Sequence, residues 1–359
     1  MKILCFIDSL GSGGAQRQLV ELAKGFQDYG YEVVFLVYHE ENFFKPDLDR
    51  YKIPVKAILE KSYLKRFLKL RKAIRAENPD VVLSFLDSAN FMATLSGFPH
   101  RKWKLIVSER SASPNIFRSF KLKFYRLFHL FANYVVANST ANLEIIKKVN
   151  PFLSDEKCKV IYNMVDEKIW HNNITDNYER KDVFNLVVFS SHQYLKNAKG
   201  MIEAVHLLSD EIKSKLKIDW YGIKSPDNSY DDAKLLIKKY NLHKNIEFFA
   251  PTDSVKDLMI ASDCVGLFSY YEGLPNVVCE AMMLNRPVIA SNISDLHLIL
   301  QKDYIFNPYN PRDIAEVISN LTQLNSADLM KIGNRNLKVA RVLFEKEKII
   351  NSYIKLFSA

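Results

Sequence analysis

The sequence predicts an α/β protein made of two doubly wound, Rossmann-like domains. The chain has 359 residues, which at about 100–200 residues per domain corresponds to two domains. Short β-rich runs alternate with helical patterns along almost the whole chain, as in parallel sheets covered by helices. One polar stretch interrupts this alternation. We therefore expect a domain over 1–165, a linker over 166–183, a second domain over 184–341 and a final helical segment over 342–359.

The strands of the first half are predicted from continuous Val, Ile, Leu and Phe runs, which are typical of strands buried on both faces. These runs lie at 2–7, 31–38, 80–86, 105–109 and 134–138, and helical patterns lie between them at about 15–28, 63–77, 88–97, 118–131 and 140–149. One more short strand is expected near Pro54–Ile58.

The second half repeats this construction without a visible sequence repeat. Its strands are predicted at 184–190, 215–221, 245–250, 264–269 and 287–291, and its helices at about 198–208, 229–240, 253–260, 276–284, 311–322 and 326–358. Ligands of such sheets bind beyond the carboxyl ends of the strands. With two such domains facing each other, the cleft between them is the expected binding site.

Composition and cysteine usage exclude several classes of protein. No uncharged apolar run reaches 18 residues, so a transmembrane helix is not expected. The apolar run at the start, residues 3–7, is too short for a signal peptide and suits a first buried strand. The four cysteines lie far apart and form no C-x-x-C pair, which argues against zinc and redox motifs and favours a reducing cytoplasm.

The net charge of +9 is confined to the first half, where residues 1–165 carry 26 Lys and Arg against 16 Asp and Glu. Two basic segments with helical apolar spacing, 61–76 and 118–131, suit an anionic membrane surface. The alternative is that their apolar residues pack on the sheet and their basic face is solvated. Nucleic acid is not expected, because no RNA- or DNA-binding motif is present. The basic residues assigned to the membrane are Lys61, Lys65, Arg66, Lys69, Lys72, Lys121 and Lys123.

Two carboxylates in the segment 269–291 are the strongest candidates for a binding site. Glu272 falls in a loop after a strand, and Glu280 lies about one turn inside the following helix. The carboxylates offer acceptors for several hydroxyls, and the free N–H groups near Asn276 and Val277 offer an anion site. Hydroxyls plus phosphate describe a nucleotide sugar. The alternative to a binding site is that Glu272 is a solvated loop residue and that Glu280 is stabilised by the dipole of its helix.

Two further segments follow the first strand of each half. Lys196 and Lys199 lie where a helix begins, and a lysine there can neutralise a diphosphate leaving group; the alternative is a solvated surface lysine. The glycine loop 11–14 lets backbone approach a ligand closely. A dinucleotide site is not favoured, because Gln16 stands where the third glycine of G-x-G-x-x-G is needed.

Together these motifs resemble the GT-B glycosyltransferases of the large retaining group called family 4. The E-x7-E motif matches as Glu272-GLPNVVC-Glu280, the Gly-Gly-Ala loop as Gly13-Gly14-Ala15, and the Lys-Asn pair as Lys196-Asn197. VIYNMVD (160–166) resembles the exit from the first domain. The resemblance implies the GT-B architecture and a last helix, within 342–359, that crosses back to the first domain.

The resemblance also implies roles for these residues. Glu280 would hold the donor ribose, Glu272 would contact the transferred sugar, and Lys196 would neutralise the leaving diphosphate. The other donor contacts would be Gly13, Gly14, Asn197, Gly273, Leu274, Asn276 and Val277.

The chain departs from the family at two points. Ser190 and Ser191 replace the usual Gly-Arg, so positive charge must come from elsewhere, with Arg17, Lys199 and Arg110 as candidates. Arg110 also stands where many relatives have a histidine; for it, the alternative is a surface pair with Glu109.

The expected reaction is transfer of a hexose, with retention, from a UDP- or GDP-sugar to a lipid-linked or surface glycan. No metal or other cofactor is expected, because no D-x-D motif lies at a plausible strand end. The enzyme would act in the cytoplasm at the inner face of the membrane, in O-antigen, capsule or lipopolysaccharide assembly. A soluble acceptor, a GT-B sugar-nucleotide epimerase and an inactive binding module are the alternatives.

Overall fold

The structure is a computed structural model that describes residues 1–171 and 182–358. It divides into two compact units, one formed by Met1–Met164 with the chain from Lys346 onward, and one formed by Val165–Glu345. The boundary therefore falls at the start of the predicted linker 166–183, of which 172–181 lie outside the described residues.

The first unit contains a seven-stranded parallel sheet in the order β3-β2-β1-β4-β5-β6-β7. The strands are β1 (Lys2–Phe6), β2 (Glu32–Val37), β3 (Val55–Ala57), β4 (Val81–Phe85), β5 (Lys104–Glu109), β6 (Tyr134–Ala137) and β7 (Cys158–Val160). The α-helices are α1 (Gly14–Asp28), α2 (Lys45–Arg50), α3 (Tyr63–Glu77), α4 (Asp87–Ser96), α5 (Phe120–Leu127) and α6 (Thr140–Val149), with 3-10 turns at Pro114–Phe117 and Phe128–Phe131.

The second unit contains a six-stranded parallel sheet in the order β10-β9-β8-β11-β12-β13. The strands are β8 (Phe184–Phe189), β9 (Leu216–Tyr221), β10 (Ile246–Phe249), β11 (Cys264–Leu267), β12 (Val288–Ser291) and β13 (Ile305–Phe306). The α-helices are α7 (Ala198–Leu207), α8 (Asp210–Ser214), α9 (Ser229–Lys239), α10 (Val255–Ala261), α11 (Asn276–Met283), α12 (Leu296–Ile299), α13 (Pro311–Thr322) and α14 (Ser326–Phe344), with 3-10 turns at Tyr194–Lys196 and Lys302–Tyr304.

The predicted fold class is confirmed, since both sheets have the doubly wound strand order. That order reverses between β1 and β4 in the first unit and between β8 and β11 in the second. Such reversals are the points where doubly wound sheets bind their ligands, beyond the carboxyl ends of the strands. The loops after β8 and β11 are those that carry Lys196 and Glu272.

Burial on both faces explains why the strands have continuous apolar sequences. In β1, the side chains of Ile3 and Cys5 belong to one core cluster, whereas Leu4 and Phe6 belong to the cluster on the other face. Each of these four residues is completely buried. A single polar residue at any of them would lose its hydration without a partner.

The predicted helix 326–358 is wrong in one respect, because it is two helices. Helix α14 ends at Phe344 and α15 (Lys346–Ser358) begins after Glu345, whose backbone is extended and pairs with Val165. Residues 342–344 therefore belong to α14, and the segment that packs on the first unit begins at Lys346 rather than 342. On α15, Ile349, Ile350, Tyr353 and Phe357 join the core cluster beside α1.

Candidate functional site

The loop after β8 is built to hold Lys196 in place. Asn197 has a left-handed backbone (φ 59°) and caps α7, since its Oδ1 accepts from the Gly200 N–H at 3.0 Å. Its Nδ2 donates to the Pro308 carbonyl at 2.8 Å. The Asn197 amide is therefore buried and positions Lys196; its direct contact with a donor stays a prediction.

The loop after β11 brings Glu272 to Lys196. Nζ of Lys196 forms an ion pair with Oε1 of Glu272, and the buried Ser269 hydroxyl donates to the same oxygen at 2.9 Å. The Tyr270 N–H donates to the Leu195 carbonyl at 2.8 Å and ties the two loops together. The side chains of Lys196 and Glu272 are 19% and 20% exposed. Two residues 76 positions apart thus form one accessible charged pair at the switch point of the second sheet, where the strand order reverses between β8 and β11.

Glu280 lies in the second turn of α11 and is 5% exposed. Gly273 and Leu274 are buried in the loop that leads to this helix, while Asn276 and Val277 are half-buried in its first turn. Because α11 begins at Asn276, the positive end of its dipole lies just after Glu272. All the donor residues predicted in the second half thus come from the loops after β8 and β11 and from α11.

The glycine loop of the first unit also opens a helix. Gly13 is the N-cap of α1, and both Gly13 and Gly14 are exposed. A Cβ on Gly13 would lie 2.2 Å from Oε1 of Gln16, whose Nε2 donates to Asp8 at 3.1 Å. Arg17 is half-buried in the same turn, and its N–H donates to the Gly13 carbonyl at 3.0 Å. The loop is therefore accessible, and the Gln16 side chain occupies the space beside Gly13.

Comparison with known proteins gives the family. A family model described as "Glycosyltransferase Family 4" matches residues 12–168, and one described as "Glycosyl transferases group 1" matches residues 172–338. The chain belongs to the family 4 glycosyltransferases. It is accordingly an enzyme of the GT-B architecture.

The curated relatives and solved structures agree with this assignment. A Campylobacter jejuni 4-alpha-N-acetylgalactosaminyltransferase, named for a diphospho-undecaprenol-linked substrate, is 26% identical over 305 residues, covering 81% of this chain and 80% of its own. A second N-acetylgalactosaminyltransferase of that organism is also 26% identical, with 81% and 79% covered. Anabaena HepE, solved with UDP and glucose, is 20% identical, has a TM-score of 0.86 and covers 100% of this chain and 99% of its own.

Arg110 of this glycosyltransferase is not in a surface pair with Glu109, so that alternative is wrong. Its guanidinium is buried, donates to Asn163 Oδ1 at 2.9 Å and to the Tyr353 hydroxyl at 2.6 Å, and lies 4.1 Å from the centre of the Phe85 ring. Burial lowers the pKa of Arg110, and Tyr353 opposes that shift. Arg110 therefore joins α15 to the first unit through Tyr353, a contact that the sequence did not predict.

Glu109 instead belongs to a buried ionic network that the sequence analysis missed. Arg126 donates to Glu109 and to Asp87 at 2.6 Å each, and the His129 ring lies 2.8 Å from Glu109. Burial opposes ionisation, but Arg126 and His129 hold the pKa of Glu109 at about 2. Burial raises the pKa of Asp87 above its ordinary range, and the Glu109 charge adds to this. The only signal was a lone arginine among the aromatic residues of α5.

The apolar residues of the basic segment 61–76 do not all pack on the sheet, although the alternative to membrane binding required this. Leu64 and Leu68 of α3 are 66% and 55% exposed, whereas Leu70 and Ile74 are buried. The packing alternative therefore holds for only some of the apolar residues of α3. Arg66 is half-buried and donates to the Glu60 carbonyl, and Lys69 pairs with the Glu60 carboxylate at 2.8 Å. The other five residues assigned to the membrane are exposed: Lys61, Lys65, Lys72, Lys121 and Lys123.

Five phenylalanines form a continuous row that starts on α5, the helix that carries Lys121 and Lys123, and we call this row the phenylalanine ladder. Successive ring centroids are 6.3, 5.1, 5.9 and 4.9 Å apart. The first ring, Phe120, is 83% exposed. The ladder consists of Phe120, Phe124, Phe128, Phe131 and Phe98.

Neither a membrane span nor a metal cluster is present in the described structure. Over residues 1–171 and 182–358, no helix combines the length and apolar composition needed to cross a bilayer. Within the same residues, no group of three or more His, Cys, Asp and Glu side chains is placed to hold a metal ion. The four cysteines are all buried, and none of them forms a disulfide bond.

Proposed function

We propose that this glycosyltransferase transfers a hexose, with retention of anomeric configuration, from a nucleotide-diphosphate sugar to a lipid-linked glycan. The observation that carries the proposal is the Lys196–Glu272 pair beside the N-terminus of α11, at the switch point of the second sheet. UDP is the favoured nucleotide over GDP, in view of the UDP complexes of the structural relative HepE.

The reaction breaks the bond between the anomeric carbon and the diphosphate and forms a bond from that carbon to an acceptor oxygen. Lys196 neutralises the charge that develops on the leaving diphosphate, where a preorganised cation is most effective. Glu272 accepts hydrogen bonds from the transferred sugar, and Glu280 accepts them from the ribose. The acceptor proton passes to the leaving phosphate oxygen on the same face. Lys196 and the N–H groups at the start of α11 are the proposed source of positive charge, and the proposed reaction uses no metal.

The acceptor is proposed to be a glycan on a diphospho-lipid, as part of O-antigen, capsule or lipopolysaccharide assembly. The Campylobacter relatives are named for undecaprenol-linked substrates, and a more distant relative from Staphylococcus aureus is named for capsular polysaccharide biosynthesis. A thermal-shift screen of nucleotide sugars, followed by mass spectrometry of products on undecaprenyl-diphosphate glycans, tests this. Stabilisation by a nucleotide sugar without transfer to any acceptor would contradict the proposal and favour a binding module.

The first unit is proposed to dock on the anionic inner face of the cytoplasmic membrane. The largely exposed phenylalanine ladder supplies apolar insertion, and the five exposed lysines of the two basic segments supply attraction to lipid headgroups. Each lysine near such a surface contributes about 1 kcal/mol. The four cysteines form no disulfide bond, which is compatible with a reducing compartment.

Vesicle flotation tests the docking. Phe120→Ser with Phe124→Ser should reduce binding to phosphatidylglycerol vesicles about tenfold or more, since two apolar side chains no longer insert. Phe152→Ser is the matched control, because Phe152 is 76% exposed but lies outside the ladder. Equal binding by the double variant and the unmodified enzyme would contradict the docking.

A further inference from the structure

Three tyrosine rings form a row on the second unit, beside the proposed donor site. The ring centroids of Tyr194 and Tyr270 are 5.3 Å apart, and Tyr270 stacks on Tyr309 at 4.8 Å with 19° between the planes. The outer two, Tyr194 and Tyr309, are 70% and 69% exposed. We call Tyr194, Tyr270 and Tyr309 the tyrosine platform. Large exposed rings in contact with one another mark an interaction site more often than single exposed rings do.

The platform is rigid, because hydrogen bonds connect its three loops. Tyr194 N–H donates to the Asp227 carboxylate at 3.0 Å, and Tyr270 N–H donates to the Leu195 carbonyl at 2.8 Å. The Asn197 side chain donates to Pro308, the residue before Tyr309. Preorganised aromatic side chains give contact area at a low entropic cost.

The same loops carry the residues assigned to the reaction. Tyr194 is two positions before Lys196 in one 3-10 turn, and Tyr270 is two positions before Glu272. Two of the three platform tyrosines and the Lys196–Glu272 pair therefore come from the same two loops. The charge excess of the chain is confined to residues 1–165, so the rest of the chain, which carries the platform, has almost no net charge.

We propose that the tyrosine platform binds sugar rings of the acceptor glycan next to the residue that is glycosylated. The inference rests on the proposed function, because it assigns a binding surface to that acceptor. A pyranose ring has an apolar C–H face and a rim of hydroxyls, which match the faces and the hydroxyl groups of tyrosine. Burial raises the pKa of Tyr270 to about 12, so its hydroxyl remains a hydrogen-bond donor at neutral pH.

Kinetics with lipid-linked glycans of different lengths test the platform. Tyr194→Ala with Tyr309→Ala should raise the acceptor KM about tenfold for a glycan long enough to cover the platform. The donor KM should change less than about twofold, and a minimal acceptor should show no such rise. Phenylalanine at both positions keeps the ring faces and should restore most of the lost affinity. Leu235→Ala, at a side chain 65% exposed on the same unit, is the control.

Binding without turnover separates failure of the platform from failure of the proposed function. The probe is the α-1,4-linked N-acetylgalactosamine disaccharide, observed by saturation-transfer NMR on the full-length enzyme. If no nucleotide sugar is turned over, the proposed function fails, and a disaccharide signal lost in the double alanine variant still supports the platform. If the double alanine variant binds UDP more weakly but binds the acceptor unchanged, the inference is overturned, and the rings contact the nucleobase instead. Loss of binding by the phenylalanine variant equal to that of the alanine variant would overturn it too.

Discussion

Replacement of Lys196 by methionine is expected to slow turnover much more than it destabilises the fold. Methionine keeps an apolar stem in the loop but removes the charge that meets the diphosphate. Loss of one preorganised contact to a developing negative charge costs about 2.7–4 kcal/mol, or about 10²–10³-fold in kcat. The donor KM should change little, because this charge develops in the transition state.

The cost in stability is smaller because of how the pair is exposed. Exposed ion pairs contribute about 0–1 kcal/mol, and breaking a fully buried pair costs about 3–5 kcal/mol. With about one fifth of each side chain exposed, and with Ser269 still donating to Glu272, the Lys196–Glu272 pair lies between these limits. We expect a decrease of about 1–2 kcal/mol in the free energy of unfolding.

The assay measures UDP release at saturating acceptor, with urea unfolding of the same samples. Lys215→Met is the matched control, since Lys215 pairs with Glu211 at 3.0 Å but precedes β9, at the amino edge of the same sheet. Its kcat should be unchanged. A Lys196→Met enzyme with kcat within about threefold of the unmodified value would refute the assignment of the leaving-group contact.

Four other outcomes are expected. Glu280→Ala should weaken UDP binding in calorimetry and leave kcat nearly unchanged, because ribose contacts are equal in the ground and transition states; a large fall in kcat at saturating donor would contradict this role. EDTA should leave activity largely intact, and a complete loss restored by Mg²⁺ would contradict the metal-free reaction. Glu109→Gln should make the free energy of unfolding, measured in urea, fall less steeply between about pH 4.5 and pH 2. The pKa of Glu109 is about 2 in the folded protein against an ordinary 4.5, so its carboxylate stabilises the fold fully above about pH 4.5 and loses that contribution as the pH falls toward 2. An unchanged pH dependence in the variant would contradict the stabilising role of the network. Deletion from Lys346 onward should lower solubility, since α15 covers part of the first core; a soluble, fully active truncation would contradict that packing.

The sequence predicted the alternation of strands and helices because burial on both faces leaves a local trace. Residues 3–7 are apolar at every position, since each side of β1 faces a core. The short strands β7 and β13 have three and two residues, too few to show a period, and were missed. The break at Glu345 was also missed, because it coincides with a backbone pairing to Val165, far away in the sequence.

The candidate site was predictable in its location but not in its contacts. Parallel strands end at one edge, so the spacing of Lys196 and Glu272 along the chain already placed both there. Their direct ion pair depends on loop conformations fixed by Asn197 and Tyr270, which no local pattern encodes. Likewise, the Arg110–Tyr353 contact joins residues 243 positions apart.

The most direct test of the central claim is the anomeric configuration of the product. The enzyme is incubated with an α-linked UDP-hexose and an undecaprenyl-diphosphate glycan, and the new glycosidic bond is analysed by proton NMR. We predict an α-linked product, with the small anomeric coupling of an axial linkage, that forms with the unmodified enzyme and about 10²–10³-fold more slowly with Lys196→Met. A β-linked product, or an α-linked product formed equally fast by that variant, would contradict a retaining transferase built on the Lys196–Glu272 pair.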